Sequence, residues 1–237
     1  MGTLRFRITA AAALTALAAI LGCEGNATGF LVGGATNGVR VRLINALPSS
    51  TALDFGVDGQ VAATGVAFGS ASNYVPTTVG SHRLTADGSA TGTTLVDFTR
   101  DLTSEGAYSL IPAPGLAQFG ALFLTDDPVP ASGQAKIRVV HVAPTQNAVS
   151  VYVTTPNGDL ASATPTVPTL LFGAASPYFL LDPGTYRLRV TPVGSPSSVI
   201  VDSGSITVAA GAVRTVLLTD SSSGGLPTTL SIIADAN

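Results

Sequence analysis

The sequence predicts an all-β chain: two tandem antiparallel β-sandwich domains. Three observations carry that reading. Only 11% of the 237 residues are charged, while Val, Thr, Ser, Ala and Gly dominate, a composition that suits short half-buried strands and tight turns better than helices. Apolar residues alternate with polar ones, as in Val39, Val41 and Leu43 against Arg40 and Arg42, or Tyr186, Leu188 and Val190 against Arg187, Arg189 and Thr191. A period of two gives each strand one buried and one wet face. The third observation is an internal repeat of domain size.

Arg42-Leu43-Ile44-Asn45-Ala46-Leu47-Pro48 matches Arg138-Val139-Val140-His141-Val142-Ala143-Pro144, 96 positions on. The offset becomes 104 where Phe68-Gly69-Ser70-Ala71-Ser72-Asn73-Tyr74 matches Phe172-Gly173-Ala174-Ala175-Ser176-Pro177-Tyr178, so an insertion is expected near Thr154 to Pro168. Gly80-Ser81-His82-Arg83-Leu84 then matches Gly184-Thr185-Tyr186-Arg187-Leu188, and Gly106-Ala107 matches Gly211-Ala212. Units of roughly 100 residues in preserved order describe a duplicated domain, not a solenoid of small repeats.

Turn signals at Asp58-Gly59, Asp87-Gly88, Asn157-Gly158 and Asp182-Pro183-Gly184 separate the alternating segments. About seven short strands per unit, so spaced, predict an immunoglobulin-like (Ig-like) sandwich. The first domain is expected over residues 39–125 and the second over 136–237, joined by a short stiff linker, 126–135, containing Pro128 and Pro130.

The N-terminus reads differently. Arg5 and Arg7 precede an apolar run from Ile8 to Leu21, and Gly22-Cys23 follows. This is the pattern of a secretory signal peptide, residues 1–22, with an apolar segment too short to span a bilayer core of roughly 30 Å. Ile20-Leu21-Gly22-Cys23 resembles the bacterial lipobox, which implies lipidation at Cys23 with more than one acyl chain, as durable anchoring requires. Cys23 is the single cysteine, so no disulfide explains it. The alternative is an incidental cysteine and a released soluble protein. Residues 23–38, rich in Gly, Ala, Thr and Asn, read as a flexible tether. The expected location is the bacterial cell envelope, lipid-anchored at the outer membrane or cell surface.

The repeated residues resemble the family known as domain of unknown function 4397, found in bacterial and archaeal surface proteins. Its opening strand ending in Pro stands at Ile137 to Pro144 and, in weaker form, at Val41 to Pro48. Its Phe-Gly-x-x-Ser-x-Tyr element stands at Phe68 and Phe172, and its Gly-Thr-Tyr-x-Leu-x-Val strand at Gly184 to Val190. The counterpart strand, Gly80 to Ala86, carries His82 in place of Tyr. Members often show an Asp after the opening loop; Asp54 fits, while Ser150 stands in its place in the second unit. The resemblance implies an Ig-like sandwich at the cell surface and brings no catalytic residue, cofactor or substrate.

Candidate chemistry is sparse. Val201-Asp202-Ser203-Gly204 looks like the active-site turn of an aspartic protease, whose chemistry needs two carboxylates sharing a proton. The equivalent place in the first unit, Val96-Asp97-Phe98-Thr99, lacks the Gly, so Asp202 is expected to cap local backbone N–H groups. No Gly-x-Ser-x-Gly elbow is present. His82 aligns with Tyr186 and His141 with Asn45, which favours structural roles for both. Two His without Cys or clustered carboxylates make no recognisable metal site. Asp126-Asp127 could touch Ca²⁺ at the domain junction but are expected to be solvated, without EF-hand spacing. With no Trp, five Tyr and nine Phe, aromatic platforms for sugars are few. Tyr74, Tyr178, Phe68 and Phe172 recur at matched positions and are expected to pack in the core or on a sheet.

The net charge of −3, with ten Arg, one Lys and 14 acidic residues, gives no basic field for nucleic acid. The expectation is therefore a non-enzymatic envelope lipoprotein, without catalytic residues, cofactor or metal. Its partners would be membrane lipid, through acylated Cys23, and a protein or glycan at the cell surface. A structural, adhesion or interaction role leads, a peptide- or carbohydrate-binding module is the alternative, and an aspartic-protease-like hydrolase is a remote third.

Overall fold

The alternating segments form strands throughout. The structure, a computed structural model, describes residues 38–48, 52–104, 106–116 and 120–236, which contain no helix. Residues 1–37, which include the expected signal peptide and Cys23, lie outside them.

The first repeat contributes β1 (Val39–Leu43), β2 (Leu53–Val57), β3 (Gln60–Val66), β4 (Val75–Thr77), β5 (Gly80–Gly88), β6 (Thr94–Leu102), β7 (Gly106–Pro112) and β8 (Ala121–Asp126). They make two four-stranded sheets, β4-β1-β7-β8 and β3-β2-β5-β6. The second repeat contributes β9 (Ala135–His141), β10 (Ala148–Thr154), β11 (Val167–Leu171), β12 (Ala174–Ala175), β13 (Phe179–Leu181), β14 (Gly184–Pro192), β15 (Val201–Val208), β16 (Val213–Thr219) and β17 (Thr229–Ala236). Its sheets are β12-β9-β16-β17, with β13 also pairing β9, and β11-β10-β14-β15. No sheet among the described residues mixes strands of the two repeats.

Each repeat buries its own apolar faces between its two sheets. Val39, Val41 and Leu43 meet Phe55, Leu84 and Phe98 in the first. Ile137 and Val139 meet Val151, Leu188 and Val190 in the second. Asp58-Gly59 closes the β2–β3 hairpin with both residues at positive φ, 52° and 79°, the requirement of a type I′ turn. At the same place the second repeat runs through residues 155–166 before β11 begins, which is where the insertion was expected.

Two details of the sandwiches were not legible in the sequence, and one expectation needs correction. The sheets are antiparallel-rich but not wholly antiparallel, because β1 runs parallel to β7 and β9 parallel to β16. Composition and turns report local connections, and these pairs join strands distant in sequence. Residues 127–134 lie between strands, since β8 carries through Asp126 and β9 starts at Ala135. Most consequential, the second face of β1 and β9 is not wet: Arg42 and Arg138 are 1% and 2% exposed.

What covers them is the other repeat. A third apolar cluster draws equally on both, with Ile44, Ala46, Ile111 and Ala113 against Val140, Val142, Leu217 and Ile233. Sheet β4-β1-β7-β8 thus packs on β12-β9-β16-β17, and residues 37–237 form one compact unit.

Candidate functional site

The interface between the repeats is held by a reciprocal clamp. Arg42 on β1 donates from Nη2 to Asp235 Oδ1 at 2.6 Å and from Nη1 to the Ala234 carbonyl at 3.1 Å, both on β17 of the second repeat. Arg138 on β9 does the same in return, donating from Nη2 to Asp126 Oδ1 and from Nη1 to the Thr125 carbonyl, both on β8 of the first. Each carboxylate is completed within its own repeat. Tyr74 Oη and Ser109 Oγ donate to Asp126 Oδ2, both at 2.6 Å, and Tyr178 Oη and Thr215 Oγ1 donate to Asp235 Oδ2 at 2.8 and 2.7 Å. The tyrosine rings also sit under the guanidiniums, 4.5 Å from Arg42 and 4.9 Å from Arg138. Buried charges are tolerated only when paired and hydrogen-bonded, and here every partner is in place.

The electrostatics follow from that burial. Desolvation alone would lower the Arg42 guanidinium, but Asp235, with Tyr74 and Asp126, holds it above its ordinary value. Burial, and then Asp126, push the Tyr74 phenol well above the usual tyrosine range. Burial does the same to Tyr178. These groups keep one protonation state throughout the physiological range, so the clamp is architecture and not acid–base machinery.

Asp126 was expected to be solvated beside Asp127, and it is not. Its side chain is fully buried in the clamp, while Asp127 is exposed and pairs with Lys136 at 2.5 Å. Tyr74 and Tyr178 do pack against a sheet, yet their hydroxyls are the functional end. Sequence reasoning missed Arg42, Arg138, Ser109, Thr215 and Asp235, although all recur at matched positions.

The other candidates resolve into structural roles. Asp202 on β15 takes a bidentate ion pair from Arg187 and accepts the Gly204 N–H at 2.9 Å. The Arg187 hydrogen bond holds its carboxyl below the usual range. Asp97 on β6 does the same with Arg83. The two are equivalent surface pairs, each aspartate held by its own arginine.

His82, 7% exposed, places Nδ1 2.7 Å from Asp58 Oδ2 and Nε2 3.0 Å from the Thr78 carbonyl. Thr78 Oγ1 lies 3.4 Å from Nε2, a loose likeness to a Thr-His-Asp triad. The carbonyl occupies the nitrogen that a base would need free, however. Tyr186 Oη bonds the Asp182 carbonyl at 2.9 Å from the matched position, so both rings pin the same turn.

His141 is fully buried; Nδ1 accepts the Ala143 N–H at 3.3 Å and Nε2 has no partner. Desolvation pushes its pKa down to about 4. Asn45 accepts the Leu47 N–H at the matched position and donates to the Val66 carbonyl, so the residue's job is to close the loop after the opening strand.

Asp54 accepts from Gly65 N and Ser89 Oγ, and Ser150 donates to the Pro168 carbonyl. Phe172 packs edge-on to His141, with centroids 6.0 Å apart, and Phe68 is half-buried. No group of three or more metal-ligating side chains occurs among the described residues. No described helix is long and apolar enough to cross a membrane.

Concavities among the described residues include two that bear on binding. One is a groove of about 480 Å³ between β3 and the chain leading into β4, lined by Ala63, Thr64, Gly65, Ser72, Asn73 and Val75 among others. Since β3 and β4 are the outer strands of opposed sheets, this groove runs along two unpaired edges. No aromatic side chain lines it. The other is a smaller hollow of about 180 Å³ on the outer face of β3-β2-β5-β6, near Gly56 and Arg83.

Comparison with known proteins adds a family. No curated protein matches the chain. Among solved structures, the chain is similar to CBMbc, a family CBM26 module of Eubacterium rectale Amy13K solved in complex with maltoheptaose. The identity is 10%, the coverage 81% of this chain and 95% of that one, and the TM-score 0.26, a value at which the likeness carries no argument about ligand. A family model matches residues 39–152, from β1 through β9 and into β10. Over those residues, the first repeat and the start of the second, the chain matches the family described as Domain of unknown function (DUF4397).

Proposed function

We propose that this chain is a non-catalytic interaction module, exported to the cell envelope and held there by lipid on Cys23, whose two clamped sandwiches present a binding groove to a protein partner. The observation that supports it is the groove beside β3. Its walls are the free edges of two sheets, where an extended segment gains main-chain hydrogen bonds by strand addition. Its lining of Ala, Thr, Gly, Ser and Asn offers no ring on which a sugar could stack, which favours peptide over carbohydrate. The side chains with hydrolytic potential, Asp202, Asp97 and His82, are engaged in structural bonds.

Two arms test the reading. Cys23→Ala should move the protein from the membrane pellet to the soluble fraction; retention in the pellet refutes the anchor. For the groove, immobilised chain is exposed to envelope extract with or without Thr64→Arg, an exposed groove position whose long side chain blocks strand addition. Capture that is protease-sensitive and lost in Thr64→Arg supports the peptide reading. Capture destroyed by periodate but not protease points to carbohydrate, and capture indifferent to Thr64→Arg removes the groove from consideration.

A further inference from the structure

The two repeats differ most on the outer faces of the sheets that lie away from the clamp. In the second repeat that face is already occupied. Residues 155–166 lie across it, with the Pro156 carbonyl accepting from Arg187 Nη1 at 3.4 Å and the Gly158 carbonyl from Arg189 Nη2. Beneath them Tyr152, on the outer side of β10, is only 4% exposed, and Leu160 of the insertion is 7% exposed. The second repeat thus carries its own peptide segment, held by arginine-to-carbonyl bonds over a buried aromatic ring.

The first repeat has the same face without the occupant. Gly56 stands where Tyr152 stands, each facing the matched residue of the next strand, Thr85 and Arg189. The Asp58-Gly59 turn replaces the insertion. What is left is the hollow of about 180 Å³, bordered by Gly56, Val61, Arg83, Thr85, Asp87 and Thr94 among others. A cavity of roughly 150 Å³ takes one benzene ring. The group that approaches Gly56 closely is Thr85, whose Oγ1 would lie 2.3 Å from a Cβ there, so buried Gly56 and Thr85 form the floor of the hollow. Val61 at the rim is 69% exposed, an apolar contact without a partner side. Arg83, the counterpart of Arg187, spends Nε and Nη2 on Asp97 and leaves Nη1 without an acceptor among the described residues.

We infer that the outer face of the first repeat is a binding site for a peptide segment of another protein, which sets an aromatic side chain into the hollow at Gly56 and a backbone carbonyl on Arg83 Nη1. The ligand chemistry is read from what the second repeat supplies to itself: a ring and a carbonyl. The site is separate from the groove beside β3, and neither depends on the other.

N-acetyl-tyrosinamide is the smallest probe with both groups, and N-acetyl-leucinamide is its control. Each is titrated into isotope-labelled full chain while backbone amide shifts are followed. Saturable shifts confined to the neighbourhood of Gly56, Val61, Thr85 and Thr94 are expected, with the tyrosine probe about threefold tighter than leucine, the margin that a ring over the exposed Arg83 guanidinium provides. Thr94→Trp, on an exposed position at the rim, should fill the hollow with its own ring and abolish the shifts. Thr64→Arg should leave them unchanged, which separates this site from the groove. Equal response to the two probes overturns the ligand assignment; scattered shifts, or shifts that survive Thr94→Trp, overturn the site.

Discussion

His141 provides a quantitative test of the buried architecture, because a fully buried imidazole held neutral makes stability depend on pH in a defined window. Its pKa falls from 6.5 to about 4 because burial strips water from the charged form. In the unfolded chain the ring takes a proton near 6.5, while in the folded chain it does not until about 4. As pH falls through this interval the unfolded state therefore binds more protons, and stability declines. Above 6.5 nothing is lost; below about 4 both states are protonated and the loss levels off.

At about 1.4 kcal/mol per pKa unit the full loss is about 3 kcal/mol, of which about 2 kcal/mol has accrued by pH 5. His141→Asn installs the residue that the first repeat carries at Asn45, which closes the same loop without titrating here. Urea unfolding of both proteins at pH 7.5, 6, 5 and 4.5 gives the difference in stability at each pH. Loss of packing against Phe172 adds a constant offset, so the slope of that difference carries the test. The variant should gain on the parent by about 2 kcal/mol between pH 7.5 and pH 5. A difference that stays flat across this range would show that the imidazole is solvated or charged in the folded protein.

Other expectations concern the clamp and the surface pairs. Asp126→Ala leaves Arg138 buried without its carboxylate and should cost about 3–5 kcal/mol, read as a lowered urea midpoint; a shift below 1 kcal/mol would mean the clamp is hydrated. Asp97→Ala and Asp202→Ala each remove only a surface ion pair and should cost about 0–1 kcal/mol, read as the shift in urea midpoint; a peptidase activity abolished by Asp202→Asn would restore the protease reading. Gly69→Leu combines a φ of 72° with a Cβ set 2.5 Å from Ser231 Oγ across the interface. The variant should lose about 2 kcal/mol or more through strain and overpacking; a neutral thermal melt would contradict that contact.

The strands, the turns and the place of the insertion were legible because each is written locally. Alternation from Val39 to Leu43 or Tyr186 to Val190 needs only a few consecutive residues, and Asp58-Gly59 names its own turn. The clamp was not legible in the same way. An arginine opposite a buried valine has the pattern of a solvent-facing side chain, and nothing within ten residues of Arg42 distinguishes it from Arg40. Its burial depends on Asp235, nearly the length of the described chain away. The information was present only as coincidence across the repeat: Arg42 with Arg138, Tyr74 with Tyr178, Asp126 with Asp235. The hollow at Gly56 was hidden for the opposite reason, since it depends on a residue that the first repeat lacks and the second has.

The reciprocity of the clamp bears on how such a chain can change over generations. After a duplication, two copies of a domain are ordinarily free to diverge, one keeping the old role while the other drifts. Here Arg42 is answered by Asp235 and Arg138 by Asp126, so a change in either half exposes an uncompensated charge in its sibling. The halves are tied as a lineage at these positions, and divergence is channelled outward, to the faces where one has grown an insertion and the other has kept an opening.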